Sequence, residues 1–465
     1  MILTIVVLFF IGYLAIALEH PLRVDKSAIA LLLGMLLWVV YTLGAEYIVP
    51  LINLDGLQAY VDASPHLHEK SLATQCLEYV LNVQLVESLG EITQTLLFLI
   101  GAMTIVELID VHGGFSVVTD KITTRNKRKL LWVISLTTFI FSAILDNMTT
   151  SIVMIMLLRK LVANKKERWI YAAMIVLAAN TGGAWSPIGD VTTIMLWVKG
   201  NVTASALISY VLVPSIVALL VPLIIVSRKI KGKLPNIVEH HVTNAPITTR
   251  EKKTILILGV AGLLFVPTFK SITHMPPFIG ILFVLGVLWT FTECFYNGKR
   301  LDVSREQRLP KVISRIDMPS ILFFLGILMA VSVLQVSGVL SATAQYLDEN
   351  IHNVYAIDLL LGTLSSVVDN VPLVAGVMGM YPVELIADPL SYEANFMVDG
   401  AFWEFLSYCA GVGGNLLIIG SAAGVIAMGL EKISFGWFLK KFSGLALLGY
   451  LSGALVYIVE IMLFK

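Results

Sequence analysis

The sequence predicts an all-α polytopic membrane protein with two inverted repeats, each holding a re-entrant helical hairpin and a broken transmembrane helix. Composition, the placement of basic residues and an internal similarity predict this fold. Of 465 residues, 57% are apolar and 14% charged, against roughly 45–50% and about 25% in soluble domains. That apolar excess excludes one soluble fold. Acidic and basic residues balance at 32 each, so no basic surface suggests a nucleic-acid partner.

Ten apolar stretches predict full spans, because a spanning helix needs about 20 mostly apolar residues. The first stretch lacks the basic flank of a signal peptide, so we expect it to remain as a span. The predicted spans cover residues 2–18, 28–44, 92–110, 169–197, 206–227, 254–269, 277–296, 318–338, 401–430 and 442–464.

Lysine and arginine orient the spans, because cytoplasmic loops retain them. All of the 32 basic residues except Lys70, Lys199, Lys270 and Lys465 fall in six segments that alternate with the outer loops. These segments are 19–27, 112–129, 159–168, 228–253, 297–317 and 431–441. The pattern predicts that both termini lie outside and that residues 228–253 form a cytoplasmic linker.

Two further apolar stretches predict re-entrant hairpins. Residues 130–161 have basic clusters at both ends and polar Asp146-Asn147 at the middle, so each arm is short of a full crossing. Residues 357–383 repeat the pattern from the outside around Asp369-Asn370. Two short helices that each span the membrane would leave the flanking loops on the same sides of the membrane. This alternative therefore stays open at both places.

An internal similarity predicts a duplicated unit. LLFLIG (96–101) aligns with ILFFLG (321–326), SAILDN (142–147) with SSVVDN (365–370), and ANTGG (179–183) with AGVGG (410–414). Ordered matches with a slowly drifting offset indicate duplication, and the loop charges give the halves opposite orientations. The predicted domains are 1–227, with hairpin 130–161 and broken helix 169–197; the linker 228–253; and 254–465, with hairpin 357–383 and broken helix 401–430. Inverted repeats with interrupted helices are typical of secondary transporters.

The chemistry is predicted at four polar islands, two at the hairpin tips and two at the Gly-rich breaks. Asp146 and Asp369 are equivalent by the repeat, and a carboxylate inside a membrane is normally paired, protonated or occupied by a cation. Either Na⁺ or H⁺ would neutralise it, so the two ions would compete. Hard cations prefer oxygen ligands. The candidates for ion binding and proton exchange are Asp146, Asn147, Thr149, Asn180, Thr181, Asp369 and Asn370, with Na⁺ held by Asp146, Asn147, Asp369 and Asn370.

Other polar side chains are candidates for supporting roles. At the hairpin tips, Asx-turn capping competes with the functional interpretation, and close packing of small residues competes at the Gly-rich breaks. Glu91 is expected to begin the third helix at the outer surface, and Glu107 either serves a proton path or snorkels at the interface. The supporting candidates are Ser142, Ser186, Asp190, Ser365, Asn415 and Ser421.

Four motifs carry a family resemblance that runs over about residues 91–465. LDNMTTSIVM, NTGGAWSPIGDVTTIMLW, VVDNVPLVAG and GVGGNLLIIGSAAGV resemble the NhaD-type sodium/proton antiporters, part of a superfamily with arsenite and dicarboxylate carriers. The resemblance implies exchange of cytoplasmic Na⁺, or Li⁺, for external H⁺ across the bacterial inner membrane. It also implies an elevator-like or rocking movement and a homodimer. Gly411 and Val412 replace Asn180 and Thr181 in the second half, so the two half-sites differ chemically.

Three functions compete at this point. The first is the cation/proton antiporter, which needs no cofactor and is not an enzyme. The second is a Na⁺- or H⁺-coupled carrier of a dicarboxylate or another oxyanion with the same fold. The third is an intramembrane aspartyl protease, which two membrane aspartates would permit. The Gly-x-Gly-Asp surround expected of such a protease is absent from the sequence.

Overall fold

The computed structural model describes residues 1–17, 22–234, 248–299, 308–367, 369–385, 388 and 391–464. Residues 235–247 of the predicted linker and Lys465 at the C-terminus lie outside the described residues. Across the described ranges the chain forms helices and no β-strand. Eight helices there are long and apolar enough to cross a membrane. The protein is therefore a multi-pass membrane protein.

We number the helices of eight or more residues in chain order. The first eleven are α1 Ile2–Ala17, α2 Lys26–Leu43, α3 Ala45–Ile52, α4 Leu54–Asp62, α5 Leu72–Tyr79, α6 Leu85–Val111, α7 Lys127–Leu145, α8 Asn147–Leu161, α9 Lys165–Ala184, α10 Val191–Lys199 and α11 Leu212–Lys229. The other nine are α12 Thr249–Thr273, α13 Pro277–Lys299, α14 Met318–Val336, α15 Val339–Asn350, α16 Val354–Leu364, α17 Asn370–Met380, α18 Ala401–Gly413, α19 Ala422–Glu431 and α20 Gly444–Phe464.

Seven of the ten predicted spans correspond to helices of spanning length, from α2 to α20. The predicted spans 169–197 and 401–430 are each split into two shorter helices, and α1 has 16 residues. The eighth helix of spanning length is α7, the first arm of the predicted hairpin 130–161. The length of α7 fits both a long arm of a re-entrant hairpin and a full span. The re-entrant hairpin at 130–161 therefore stays a prediction.

The third predicted helix begins earlier than expected. A π-helical segment, Val80–Gln84, joins α5 to α6, so one helical stretch runs over Leu72–Val111. The expectation that Glu91 begins a helix is wrong, because it lies inside α6 on an exposed face. The polar residues of segment 45–91 suggested a loop, yet they alternate with apolar ones and form the short helices α3, α4 and α5.

The helix breaks fall where glycine and polar residues cluster. α9 ends at Ala184 and α10 begins at Val191, while α18 ends at Gly413 and α19 begins at Ala422. Both breaks lie inside the predicted broken helices. Asp190 caps α10 and Ser421 caps α19, each by accepting backbone N–H groups of the following turn.

The turn between α7 and α8 is a single residue, Asp146, with φ of 80°. Its carboxylate caps α8 by accepting the Thr149 N–H at 2.7 Å. With ψ of 158°, this is a conformation that glycine normally adopts, so the backbone is strained at Asp146 and the bond to Thr149 helps to hold it. In the second half, α16 ends at Leu364 and α17 begins at Asn370.

The chain divides into two compact units. One contains Met1–Leu96, Asp317–Asn353 and Val371–Pro382, and in it α2 packs along α14. A Cβ on Gly34 would overlap the Gly326 carbonyl oxygen, so these two helices approach at their backbones. Small residues allow such close approach between membrane helices.

The other unit contains Leu97–Ile316, Val354–Asn370 and Val383–Lys465. At its centre α9 contacts α7, α8, α11, α18 and α19. Every residue of α9 from Tyr171 to Ala184 is buried. Neighbouring helices therefore surround the polar residues at its end, and these face neither lipid nor bulk solvent.

Glu431→Gln is expected to destabilise the second unit. The fully buried Glu431 carboxylate accepts from Arg159 Nε at 2.7 Å and Arg168 Nε at 2.9 Å. Breaking a buried ion pair by removing one partner costs about 3–5 kcal/mol, so thermal unfolding in detergent should begin at a clearly lower temperature. In the control Glu167→Gln, the lost partner is Lys127 in a partly exposed pair, worth about 0–1 kcal/mol. Equal effects of the two variants would contradict this assignment.

Candidate cation site

Four segments of the second unit bring buried polar side chains together. They are the α7–α8 turn, the end of α9 with the α9–α10 break, the start of α17, and the α18–α19 break. We call the group that they form the polar cluster, and each of its members is at most 4% exposed. Its members are Asn147, Asn180, Asp190, Asn370, Asn415 and Ser421.

Asp190 is the only acid of the polar cluster. Its Oδ2 accepts from Asn147 Nδ2 at 2.7 Å and lies 3.4 Å from Asn370 Nδ2, so amides from both predicted hairpin tips reach one oxygen. Its Oδ1 accepts the Thr192 N–H at 3.2 Å. Asp190 is 2% exposed and lies at the α9–α10 break.

Asn180 joins side chains from the two halves of the chain. Its Oδ1 accepts from Asn147 Nδ2 at 3.1 Å. Its Nδ2 donates to Asn415 Oδ1 at 2.9 Å and to Ser421 Oγ at 2.7 Å. The amide is fully buried, so a substitution without these atoms leaves several neighbours unpaired.

Asp146 and Asp369, the two acids singled out by the sequence, flank the polar cluster. Both are partly exposed, whereas Asp190 is buried. Asp146 also accepts the Thr149 hydroxyl at 2.8 Å. Both aspartates act electrostatically on Asp190. The site therefore has one central carboxylate and two peripheral ones, where the sequence indicated a symmetric pair.

The remaining predicted hydroxyls bond to backbone. Ser142 donates to the Ala179 carbonyl at 2.5 Å, Ser365 to the Ala410 carbonyl at 2.8 Å and Ser186 to the Ala143 carbonyl at 2.5 Å. These bonds hold residues 142 and 365 against α9 and α18. Thr181 donates to the Leu177 carbonyl of its own helix.

Matching contacts recur at positions that the sequence aligns. The bond from Ser142 to Ala179 corresponds to the bond from Ser365 to Ala410. A Cβ on Gly182 would overlap the Phe139 carbonyl oxygen, and one on Gly413 would overlap the Gly362 carbonyl oxygen. Each broken helix therefore lies backbone to backbone against the segment that carries its serine.

Gly182→Ala is expected to lower both stability and activity. The overlap with the Phe139 backbone can be relieved only by separating α9 from α7, since a backbone carbonyl cannot rotate away as a side chain can. Overpacking of this kind costs about 1–3 kcal/mol. The control is Gly429→Ala in α19, where a Cβ meets nothing within 4 Å. Thermal unfolding in detergent should separate the two variants, and similar curves would show that α9 and α7 can move apart.

The two candidate glutamates, Glu91 and Glu107, do not belong to the polar cluster. Glu107 Oε1 lies 4.0 Å from Arg315 Nη1, and both side chains are partly exposed. Sequence reasoning missed Thr192, whose N–H bonds to Asp190, and Ser407, whose hydroxyl donates to the Ala184 carbonyl at 2.9 Å. The sequence DVTT (190–193) indicated Thr192, because an aspartate before threonines is typical of a helix start.

The arrangement suits a small cation better than an anion. One buried and two peripheral carboxylates act on each other, and no lysine or arginine occurs in residues 142–150, 180–190, 365–372 or 411–421. Amide oxygens of Asn180 and Asn415 supply the neutral ligands that hard cations also take. Within the described residues, no three His, Cys, Asp or Glu side chains are placed to chelate one metal ion.

Comparison with known proteins gives the family of the chain. A family model described as a citrate transporter matches residues 6–398. "Sodium/proton antiporter 2" of Arabidopsis thaliana is 41% identical over 454 residues, covering 97% of this chain and 98% of that protein. The chain belongs to the NhaD-type sodium/proton antiporter family. The resemblance predicted from its four motifs is confirmed.

Plant and bacterial proteins named as sodium/proton antiporters both align along most of the chain. "Sodium/proton antiporter 1" of Arabidopsis thaliana is 42% identical over 453 residues, 97% of this chain and 71% of that protein. "Na(+)/H(+) antiporter NhaD" of Vibrio parahaemolyticus is 29% identical over 409 residues, 82% of this chain and 92% of that protein. These relatives are named as antiporters and not as enzymes.

Proposed function

We propose that the protein exchanges Na⁺, or Li⁺, for H⁺ by secondary active transport. The observation that carries the proposal is Asp190, which is buried at a helix break, receives amides from both hairpin tips and lies among two further carboxylates. A carboxylate so placed in a membrane requires a cation or a proton. The similarity to proteins named as sodium/proton antiporters supports Na⁺ as that cation.

In the proposed cycle Na⁺ and H⁺ alternate on these carboxylates. Na⁺ binds when Asp190 is ionised, and Asp146 and Asp369 strengthen its binding through their charge. Protonation of Asp190 removes the charge that holds Na⁺, so the ion leaves. Competition between two ions for one carboxylate yields exchange, provided that the site opens to one side at a time.

Alternating access would follow from inverted repeats with re-entrant hairpins, as predicted above. The matching serine and glycine contacts at aligned positions support duplication. Hairpin tips that bond to a central acid through Asn147 and Asn370 would move with the ion. We further propose a homodimer in the bacterial inner membrane with both termini outside, the membrane in which the bacterial relatives would work.

Proteoliposomes containing the purified protein and an enclosed pH-sensitive dye test the proposal. Na⁺ added outside should enter in exchange for H⁺, so the lumen should become alkaline. Choline added at the same concentration is the control and should give no change. A lumen pH that responds equally to both salts, or to neither, would refute Na⁺/H⁺ exchange.

A second candidate is a Na⁺- or H⁺-coupled anion carrier of the same fold. The description of the matching family model as a citrate transporter favours it. The carboxylates of the site oppose it, because they would repel a dicarboxylate and no basic residue lies in the four segments. Uptake of labelled citrate into the same vesicles under an inward Na⁺ gradient would establish this candidate, and we expect none.

A further inference from the structure

A second group of buried titratable side chains lies in the same unit, where α16, α18 and α20 pack together. Each member is at most 1% exposed. We call this group the acid–tyrosine cluster; its members are Asp358, Glu404, Tyr408, Cys409, Tyr450 and Tyr457. Neither sequence reasoning nor the proposed cation site uses any of them. No lysine or arginine occurs in these three helices.

Asp358 is the unusual member of the acid–tyrosine cluster. Its side chain is fully buried, and among the described residues neither Oδ1 nor Oδ2 has a hydrogen-bond partner. Its charge would act on Cys409 and Tyr450, and also on Tyr355 at the start of α16. An ionised carboxylate without donors in such surroundings costs several kcal/mol. The protonated form avoids that cost.

The hydrogen bonds of Tyr457 indicate that Glu404 also holds a proton. Tyr457 Oη lies 3.0 Å from the Ala401 carbonyl oxygen and 2.9 Å from Glu404 Oε2. The phenol has one hydrogen, and the carbonyl can only accept. Both contacts are satisfied together when a protonated Glu404 donates to Tyr457 and Tyr457 donates to Ala401.

The acid–tyrosine cluster and segments of the cation site are carried by the same two packed helices, α16 and α18. Asp358 and Ser365 are seven residues apart on α16 and its final turn, about 10 Å along the axis. Ser365 bonds to the Ala410 carbonyl at the end of α18. Gly413, two residues before Asn415, packs on the Gly362 carbonyl. The charge distribution of the loops predicts that the start of α16 faces outside, the side from which protons enter.

We propose that Asp358, supported by Glu404, is a proton-binding site separate from the Na⁺ site, which external protons load and which gives up its proton when Na⁺ binds. The inference rests on the proposed Na⁺/H⁺ exchange. When Na⁺ binds in the polar cluster, Asp358 releases its proton to the cytoplasmic water, and a proton from the external water later restores the acid. Proton and charge therefore balance over the cycle, and no other reactant is needed.

Asp358→Asn tests the proposal because asparagine imitates the neutral acid but cannot release a proton. Purified protein in weakly buffered detergent receives Na⁺ while a pH indicator reports proton release. We expect Asp358→Asn to bind Na⁺ but to release about one proton fewer per Na⁺ than wild type, since a carboxyl group carries one proton. The exposed acid Glu349, changed to Gln, is the control and should behave as wild type. Unchanged release in Asp358→Asn would overturn the proposal and leave Asp358 as a permanently neutral structural acid.

Infrared difference spectroscopy gives a readout that does not depend on Na⁺/H⁺ exchange. A protonated carboxyl band present at neutral pH in wild type, missing in Asp358→Asn and lost from wild type on alkalinisation supports the assignment. Absence of that band, or a band insensitive to alkali, would overturn it. If Asp358→Asn does not fold, the same spectra recorded for Glu404→Gln decide whether the protonated carboxyl band belongs to the acid–tyrosine cluster. Failure of wild type to release protons with Na⁺ would instead refute the proposed exchange, and the infrared band would still decide whether Asp358 titrates.

Discussion

Asp190→Asn is expected to abolish Na⁺-dependent proton movement while the protein still folds. The central carboxylate supplies the charge that binds Na⁺ and the group that takes the proton. A unit charge about 4 Å away at an effective dielectric of about 20 contributes roughly 4 kcal/mol, which is close to a thousandfold in affinity. Asparagine keeps nearly the same volume and one side-chain oxygen, which can still accept the Thr192 N–H of the α10 cap. Its Nδ2, however, would face the Asn147 and Asn370 amides and leave them without this acceptor.

The measurement combines vesicle transport with Na⁺ binding to detergent-solubilised protein. Asp190→Asn should lose both, whereas it should still unfold in one cooperative thermal transition, at a lower temperature because about 1–3 kcal/mol of hydrogen bonding is lost. The matched control is Asp120→Asn, an exposed aspartate outside the polar cluster. Retained exchange in Asp190→Asn would show that the cation is held elsewhere, and the role assigned to the polar cluster would be wrong.

Asp146→Asn and Asp369→Asn are expected to weaken Na⁺ binding without abolishing exchange. These carboxylates flank Asp190, and a charge about 6–8 Å from an ion at an effective dielectric of about 20 contributes roughly 2–3 kcal/mol. The Na⁺ concentration for half-maximal exchange should therefore rise by about 30- to 100-fold. In Asp146→Asn one oxygen can still accept the Thr149 N–H, so the α8 cap should remain.

Transport assayed over a range of Na⁺ concentrations separates these variants from Asp190→Asn. At high Na⁺ the two flanking variants should recover most of the wild-type rate, and the central variant should not. Complete loss in a flanking variant with the fold intact would place the ion at that hairpin tip, as the sequence alone suggested. No change in either variant would remove both aspartates from the site.

The family and the location of the site were largely predictable from the sequence. Composition indicated a membrane protein, and the clustering of Gly, Asn and Ser predicted helix breaks where α9 and α18 end. Asn147, Asn180, Asn370, Asn415 and Ser421 are all in the polar cluster. Breaks are predictable because lipid cannot satisfy freed backbone groups, so glycine and polar residues inside a span indicate an interior position.

Other features depended on packing between distant segments. The sequence put Asp146 and Asp369 among the ion-binding candidates and Asp190 among the supporting ones, because the repeat relates the first two. The bonds from Asn147 and Asn370 to Asp190 depend on packing that the sequence does not show. Asp358 and Glu404 were missed because each is a single acid in an apolar run, and only the packing of α16, α18 and α20 brings them together.

The sequence by itself therefore determined the membrane class, the family, the helix breaks and a set of oxygen-bearing side chains without a basic partner. These properties are local, because they depend on composition and on spacing along one helix. The tertiary structure decided which carboxylate of the polar cluster is buried, which amides reach it, and that Asp358 has no hydrogen-bond donor among the described residues. Burial and hydrogen bonding depend on contacts between residues such as Asn180 and Asn415, which are far apart in the chain and meet only when α9 and α18 pack together.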